Sequence, residues 1–176
     1  GSSLTCRGLA MRWKRWRYCV SNLNLILPIG AFLALLLLVP AAAGDQIDAF
    51  WTNAYGGNWA AGANWSTAPD YPNNGGAQTY NAIIDLVGAA YTITLDSPST
   101  VVDNFTLNSS SATLKHVSGV FQVLGTADLL AGTYQLSGGT LQGGIWNVAP
   151  GTFVVTNNAA NCLDARKLTI YGGTNE

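Results

Sequence analysis

His116 is the only histidine in the chain, so a Ser-His-Asp arrangement would have to run through it. It sits beside Lys115 at the end of the run Thr113-Leu-Lys-His-Val117, and reads as a solvent-facing residue at a strand end. The other acid–base candidates are Asp85, Asp96 and Asp103. Paired-carboxylate hydrolysis needs two carboxyl groups about 5 to 9 Å apart. These three are scattered, each beside turn residues, and read as turn formers. Asp70-Tyr-Pro-Asn73-Asn74-Gly75 offers oxygen atoms of the kind Ca²⁺ takes, but it lacks the EF-hand pattern. Cys6, Cys19 and Cys162 form no CxxC or Cys/His metal spacing. The expectation is a chain with no catalytic residues, no cofactor and no metal. One binding chemistry stays open: Tyr55, Trp59 and Tyr71 would stack on sugar rings if exposed on one face. If buried, the same rings belong to a hydrophobic core.

The elements that must hold these residues begin with a charge split. Five of the eight basic residues precede residue 44, and all nine acidic residues lie from Asp45 onward. The part after residue 44 carries three basic against nine acidic residues, a net −6. Nucleic-acid binding needs a basic footprint, so that class is excluded. The amino-terminal part reads as an export signal. Met11-Arg-Trp-Lys-Arg-Trp-Arg17 is basic, Leu23 to Val39 is mostly apolar, and Pro40 precedes Ala41-Ala42-Ala43. Cleavage is expected between Ala43 and Gly44. A retained signal anchor is the alternative, since this stretch has about the 20 residues a bilayer requires. Residues 1–10 precede the only methionine and read as upstream read-through. Residues 11–43 are the signal peptide or anchor.

Residues 44–85 read as a Trp-rich cap holding Trp51, Trp59 and Trp65, broken by Pro69, Pro72 and glycine pairs. From residue 86 to 176 apolar residues fall at every second place, as in Tyr91-Thr-Ile93-Thr-Leu95 and Phe105-Thr-Leu107. Period two with Val, Ile, Thr, Tyr and Phe signals half-buried strands. The runs repeat: Gly119-Val-Phe121-Gln-Val123, Gly132-Thr-Tyr134-Gln-Leu136 and Gly151-Thr-Phe153-Val-Val155 share a Gly-x-aromatic-x-aliphatic pattern. Leu114 to Tyr134 is 20 residues; Tyr134 to Phe153 and Val102 to Phe121 are each 19. A period near 20 suits one coil of a solenoid with two or three short strands. The predicted fold is all-β: a right-handed parallel β-helix with an amino-terminal aromatic cap, after an apolar signal helix. A β-sandwich is the competing architecture.

Trp51-x7-Trp59-x5-Trp65-Ser66, then Pro72 and Ala82-Ile83-Ile84, resembles the opening of large secreted bacterial β-solenoid proteins. These are autotransporter-like, β-strand-repeat surface proteins, with relatives of the PEP-CTERM type that carry sorting tails. Leu136-Ser-Gly-Gly-Thr-Leu141-Gln-Gly-Gly144 is similar to their strand repeats. The resemblance runs from Trp51 to Gly173. It implies an exported, extracellular or cell-surface chain. The function expected is a non-catalytic structural or adhesive module; the alternative is a carbohydrate-binding or polysaccharide-degrading β-helix protein. Partners would be surface polysaccharide or a host or matrix surface, with no nucleic acid, membrane contact only through the signal segment, and end-to-end self-association. The chain reaches Glu176 without a translocator barrel or sorting tail, so it reads as truncated at the carboxy end.

Overall fold

The structure is a computed structural model, and it describes residues 44–75, 77–157 and 159–170. The expected signal segment, including Ala43, lies outside the described residues, as do residues 171–176.

Among the described residues eleven strands follow one another. They are β1 (Gln46–Phe50), β2 (Gly57–Asn58), β3 (Thr79–Ile84), β4 (Tyr91–Leu95), β5 (Ser99–Val102) and β6 (Asn104–His116). Then come β7 (Val120–Leu136), β8 (Thr140–Val148), β9 (Thr152–Val155), β10 (Leu163–Asp164) and β11 (Lys167–Ile170). Every pairing between these strands is parallel. A β-sandwich of antiparallel sheets is therefore excluded. The chain forms a β-solenoid of about four turns.

The pairing sorts into three rows. The first joins β1, β3, the start of β6, the middle of β7, the end of β8, and β11. The second joins β2, β4, the end of β6, the end of β7, and β9. The third joins β5, the start of β7, the start of β8, and β10. The three longest strands thus bend round corners and serve two or three rows each. Segment 44–85 contributes β1, β2 and β3 to these rows as well as its aromatic rings.

Leu114 pairs with Tyr134, and Tyr134 with Phe153, as the repeat spacing predicts. The third predicted spacing is corrected: Val102 pairs with Val123, and Phe121 with Thr100. The reason is that the Gly-x-aromatic pattern marks a corner and the strand after it, not one row. Gly119 opens a strand of the third row, while Gly132 opens one of the second. Both have positive φ, +76° and +81°. A Cβ at either would lie 1.8 Å from the Ser97 carbonyl oxygen or 2.3 Å from that of Ser109 in the preceding coil. Only glycine lets the backbones approach this closely at a corner.

Inside the rows, alternate residues fill a narrow core. Ala82, Ile84, Ile93, Leu95, Phe105, Leu107, Leu114, Phe121, Leu129 and Tyr134 are all buried. Aromatic rings run along it as a column. Trp51 meets Trp65, Trp65 meets Trp59, and Trp59 meets Phe105 and Phe121, with centroids 4.7 to 6.2 Å apart. Tyr134, Trp146 and Phe153 continue it, and the Tyr134 and Phe153 rings lie parallel at 5.3 Å. Such ring pairs add about 0.5–1.5 kcal/mol each beyond area burial.

The outward residues are also in register. Asn81 donates to Asp48 (2.7 Å), Asn104 donates to Asn81 (2.9 Å), and the Thr126 N–H donates to Asn104 (3.0 Å). Asn147 donates to Asp128 in the neighbouring column at 2.8 Å. Thr92, Thr113, Thr133 and Thr152 form a threonine row on the second face.

Trp59 is fully buried and touches three other rings. Trp59→Ala is expected to destabilise the fold by about 3–5 kcal/mol, the cost of emptying a large aromatic site. Urea unfolding checks it: an unchanged midpoint would show that the column does not depend on this ring.

Candidate functional site

The chain between β2 and β3 contains a short 3-10 turn, Gly62–Asn64, and then a loop with no regular structure. The loop lies along the free side of β5 in place of a strand. The Val101 N–H donates to Asn73 Oδ1 (2.8 Å), and the Val101 carbonyl accepts from the Asn74 N–H (2.6 Å). Asn74 also donates its Nδ2–H to Asp103 (2.8 Å) and accepts from the Tyr80 N–H (2.8 Å). From beneath, Trp59 Nε1 donates to the Pro72 carbonyl at 3.1 Å. The loop is therefore fixed on both sides by bonds into the solenoid.

This loop curves round a hollow of about 230 Å³ lined by Asp70, Tyr71, Asn73, Gly75, Gln78 and Tyr80. Tyr80 donates its hydroxyl to Gln78 Oε1 at 3.1 Å. Asn73 Oδ1 and Gln78 Oε1 each accept one bond and retain a second lone pair beside their NH₂ donors. Among the described residues neither NH₂ group has another partner, and the Asp70 carboxylate accepts no side-chain bond. The hollow thus offers amide donors and acceptors, one carboxylate and the half-buried Tyr71 ring.

The three sequence-predicted sugar contacts do not form one platform. Tyr55 is 95% exposed at a turn held by Asn53, and does not line the hollow. Trp59 is 0% exposed, which corrects its reading as a ligand contact. Its ring is core because its neighbours Trp65, Phe105 and Phe121 close over it. Tyr71 is half-buried and does line the hollow. Sequence reasoning missed Asn73, Gln78 and Tyr80 as companions of Tyr71. The Asp70–Gly75 stretch points to Asn73, as an oxygen donor and not as part of a cavity, and nothing in it points to Gln78 or Tyr80.

The carboxylates stand apart. Asp85 follows β3, Asp96 follows β4 and Asp103 follows β5, so each occupies a different corner of the solenoid. Asp96 accepts from Asn58 (2.7 Å), and Asp103 accepts from Gln46 (2.9 Å) and Asn74 (2.8 Å). Among the described residues no group of three or more His, Cys, Asp or Glu side chains could hold a metal ion. Nor is any helix among them long and apolar enough to cross a membrane.

His116 is a correction. It is 0% exposed, with Nδ1 3.0 Å from the Tyr134 hydroxyl. Its register partners are Leu95 and Leu136, and Ala112 and Leu114 before it also point inward. The parity of the strand places it in the core, and that parity was legible from Leu114. Burial pushes the His116 pKa below the usual imidazole value. The nearby Gly119 and Ser118 backbone offsets part of this, although Nε2 has no hydrogen-bond partner. Burial also raises the Tyr134 pKa far above that of free tyrosine, so its hydroxyl stays neutral. Both side chains are enclosed and closed to substrate.

With its folded pKa depressed, His116 takes up a proton more readily in the unfolded chain. Its contribution to stability is complete above the unfolded value of about 6.5, and is lost as pH falls through it toward the folded pKa. The urea midpoint should therefore drop between about pH 7.5 and 5.5, above the carboxylate range. His116→Gln should flatten that slope; an unchanged slope would assign it to other groups.

Comparison with protein-family models, with curated proteins and with solved structures returned no match to this chain.

Proposed function

We propose that this chain is a non-catalytic structural or adhesive module of an exported cell-surface β-solenoid protein. The observation that carries the reading is one continuous aromatic core under three parallel rows. Such an object is stiff along its axis, because each coil is bonded to the next along every row. Its resemblance to autotransporter-like, β-strand-repeat surface proteins and their PEP-CTERM-type relatives supports the same use. So does the basic and apolar stretch before residue 44. Surface polysaccharide or a host or matrix surface is the partner. End-to-end association of copies belongs to the same proposal. Polysaccharide cleavage by this segment is the weaker reading, because Asp85, Asp96 and Asp103 occupy different corners and His116 is enclosed.

Two measurements test the proposal. Amino-terminal sequencing of secreted material should begin at Gly44 or Asp45; recovery of the intact chain from membranes would support a retained anchor. A broad screen of polysaccharide and ester substrates should show no turnover. Turnover abolished by replacing Asp85, Asp96 or Asp103 would overturn the non-catalytic reading.

A further inference from the structure

We infer that the hollow lined by Asp70, Tyr71, Asn73, Gln78 and Tyr80 is a binding site for one neutral sugar ring. This deepens the adhesive reading and rests on it. The class of ligand follows from which atoms are left free. Asn73 Oδ1 accepts from the Val101 N–H, and Gln78 Oε1 from the Tyr80 hydroxyl. Each amide keeps its NH₂ donors, and each oxygen has accepted one bond and can accept a second. A Ca²⁺ site needs six to eight oxygens, usually with several carboxylates, and Asp70 is the single carboxylate among the lining residues. That same carboxylate disfavours an anion. What remains is an uncharged ligand that both donates and accepts, with a small apolar face for the half-buried Tyr71 ring. A pyranose ring has these properties: hydroxyls around its edge and C–H bonds on its faces.

Size and rigidity agree. The hollow measures about 230 Å³, below the roughly 300–1,000 Å³ of drug-sized pockets. One ring, or the end unit of a chain, is what it accommodates. Residues 72–74 are held before any ligand arrives, by bonds of Asn73 and Asn74 to β5, by Asp103, and by Trp59 from beneath. A preformed loop loses little entropy on binding. Asp70 lies on the exposed rim and Tyr71 is half-buried, so both are reachable from solvent.

The test is ligand-observed saturation-transfer NMR on the full chain. The probes are glucose, galactose, mannose and N-acetylglucosamine, with sodium glucuronate as the anionic control and calcium chloride, followed by isothermal titration calorimetry, as the cationic one. At least one neutral sugar should receive saturation, strongest on its ring C–H protons. Asp70→Asn and Tyr71→Ala should each weaken its affinity by about tenfold or more, the scale of one lost charge-assisted contact. Tyr55→Ala should leave it unchanged. Asp70→Asn alters an exposed side chain, so an unchanged thermal midpoint separates lost binding from lost fold. Neutral sugar binding that survives both substitutions, or binding of Ca²⁺ or glucuronate that Asp70→Asn abolishes, would overturn the inference. Binding of polysaccharide polymers but of no monosaccharide, unaffected by these substitutions, would also overturn it and leave the adhesive reading standing. Absence of binding to any sugar, polysaccharide or matrix surface would remove both.

Discussion

Each coil must sit about 4.8 Å above the one before it, because that is the distance at which parallel strands bond. Everything else in the domain answers to this spacing. A side chain has its own counterpart directly above and below it, so similar residues meet similar residues. Inside, this gives Leu114, Tyr134 and Phe153 in one column and Phe105, Ala127 and Trp146 in another. Large rings cannot all stack flush in so narrow a core. Most pairs therefore meet edge to face or tilted, and Phe105 is followed by Ala127 to make room before Trp146.

The same spacing organises the polar groups. Asn side chains bond well to their own kind one coil away, each amide accepting from one neighbour and donating to the other. The Asp48–Asn81–Asn104 column uses this, ending on a backbone N–H. Its consequence is specificity. A shift of one residue in any coil would turn apolar side chains outward and break the column at once. The corners obey the same rule, since the glycines at 119 and 132 sit against carbonyls of the coil before them.

Where a coil departs from the pattern, a surface feature appears. The stretch between β2 and β3 does not make a strand on the third face. It covers β5 with the side chains of Asn73 and Asn74 and with one backbone bond, and its slack encloses the hollow. The rows supply rigidity, and this departure supplies the shape on which recognition can be built. Loops positioned by a rigid scaffold commonly carry function.

The sequence by itself determined the period, the parity and the class of the fold. Period-two runs with Gly at their starts specify strands and corners, because alternation and positive φ are local properties. Two of the three spacings read from it match the pairing, and the scatter of Asp85, Asp96 and Asp103 was visible in their numbering. Only the tertiary structure decided which corner each carboxylate occupies, which row each Gly-x-aromatic run joins, and which rings are enclosed. Tyr55 and Trp59 are both aromatic residues in a turn-rich stretch, yet one is 95% exposed and the other 0%. The difference comes from Phe105 and Phe121, which lie far along the chain and arrive beneath Trp59 only when the coils stack. His116 reads as exposed because it is polar and ends a strand, although the parity set by Leu114 already turns it inward, between Leu95 and Leu136. Burial and proximity across coils are long-range properties, and only the stacked coils decide them.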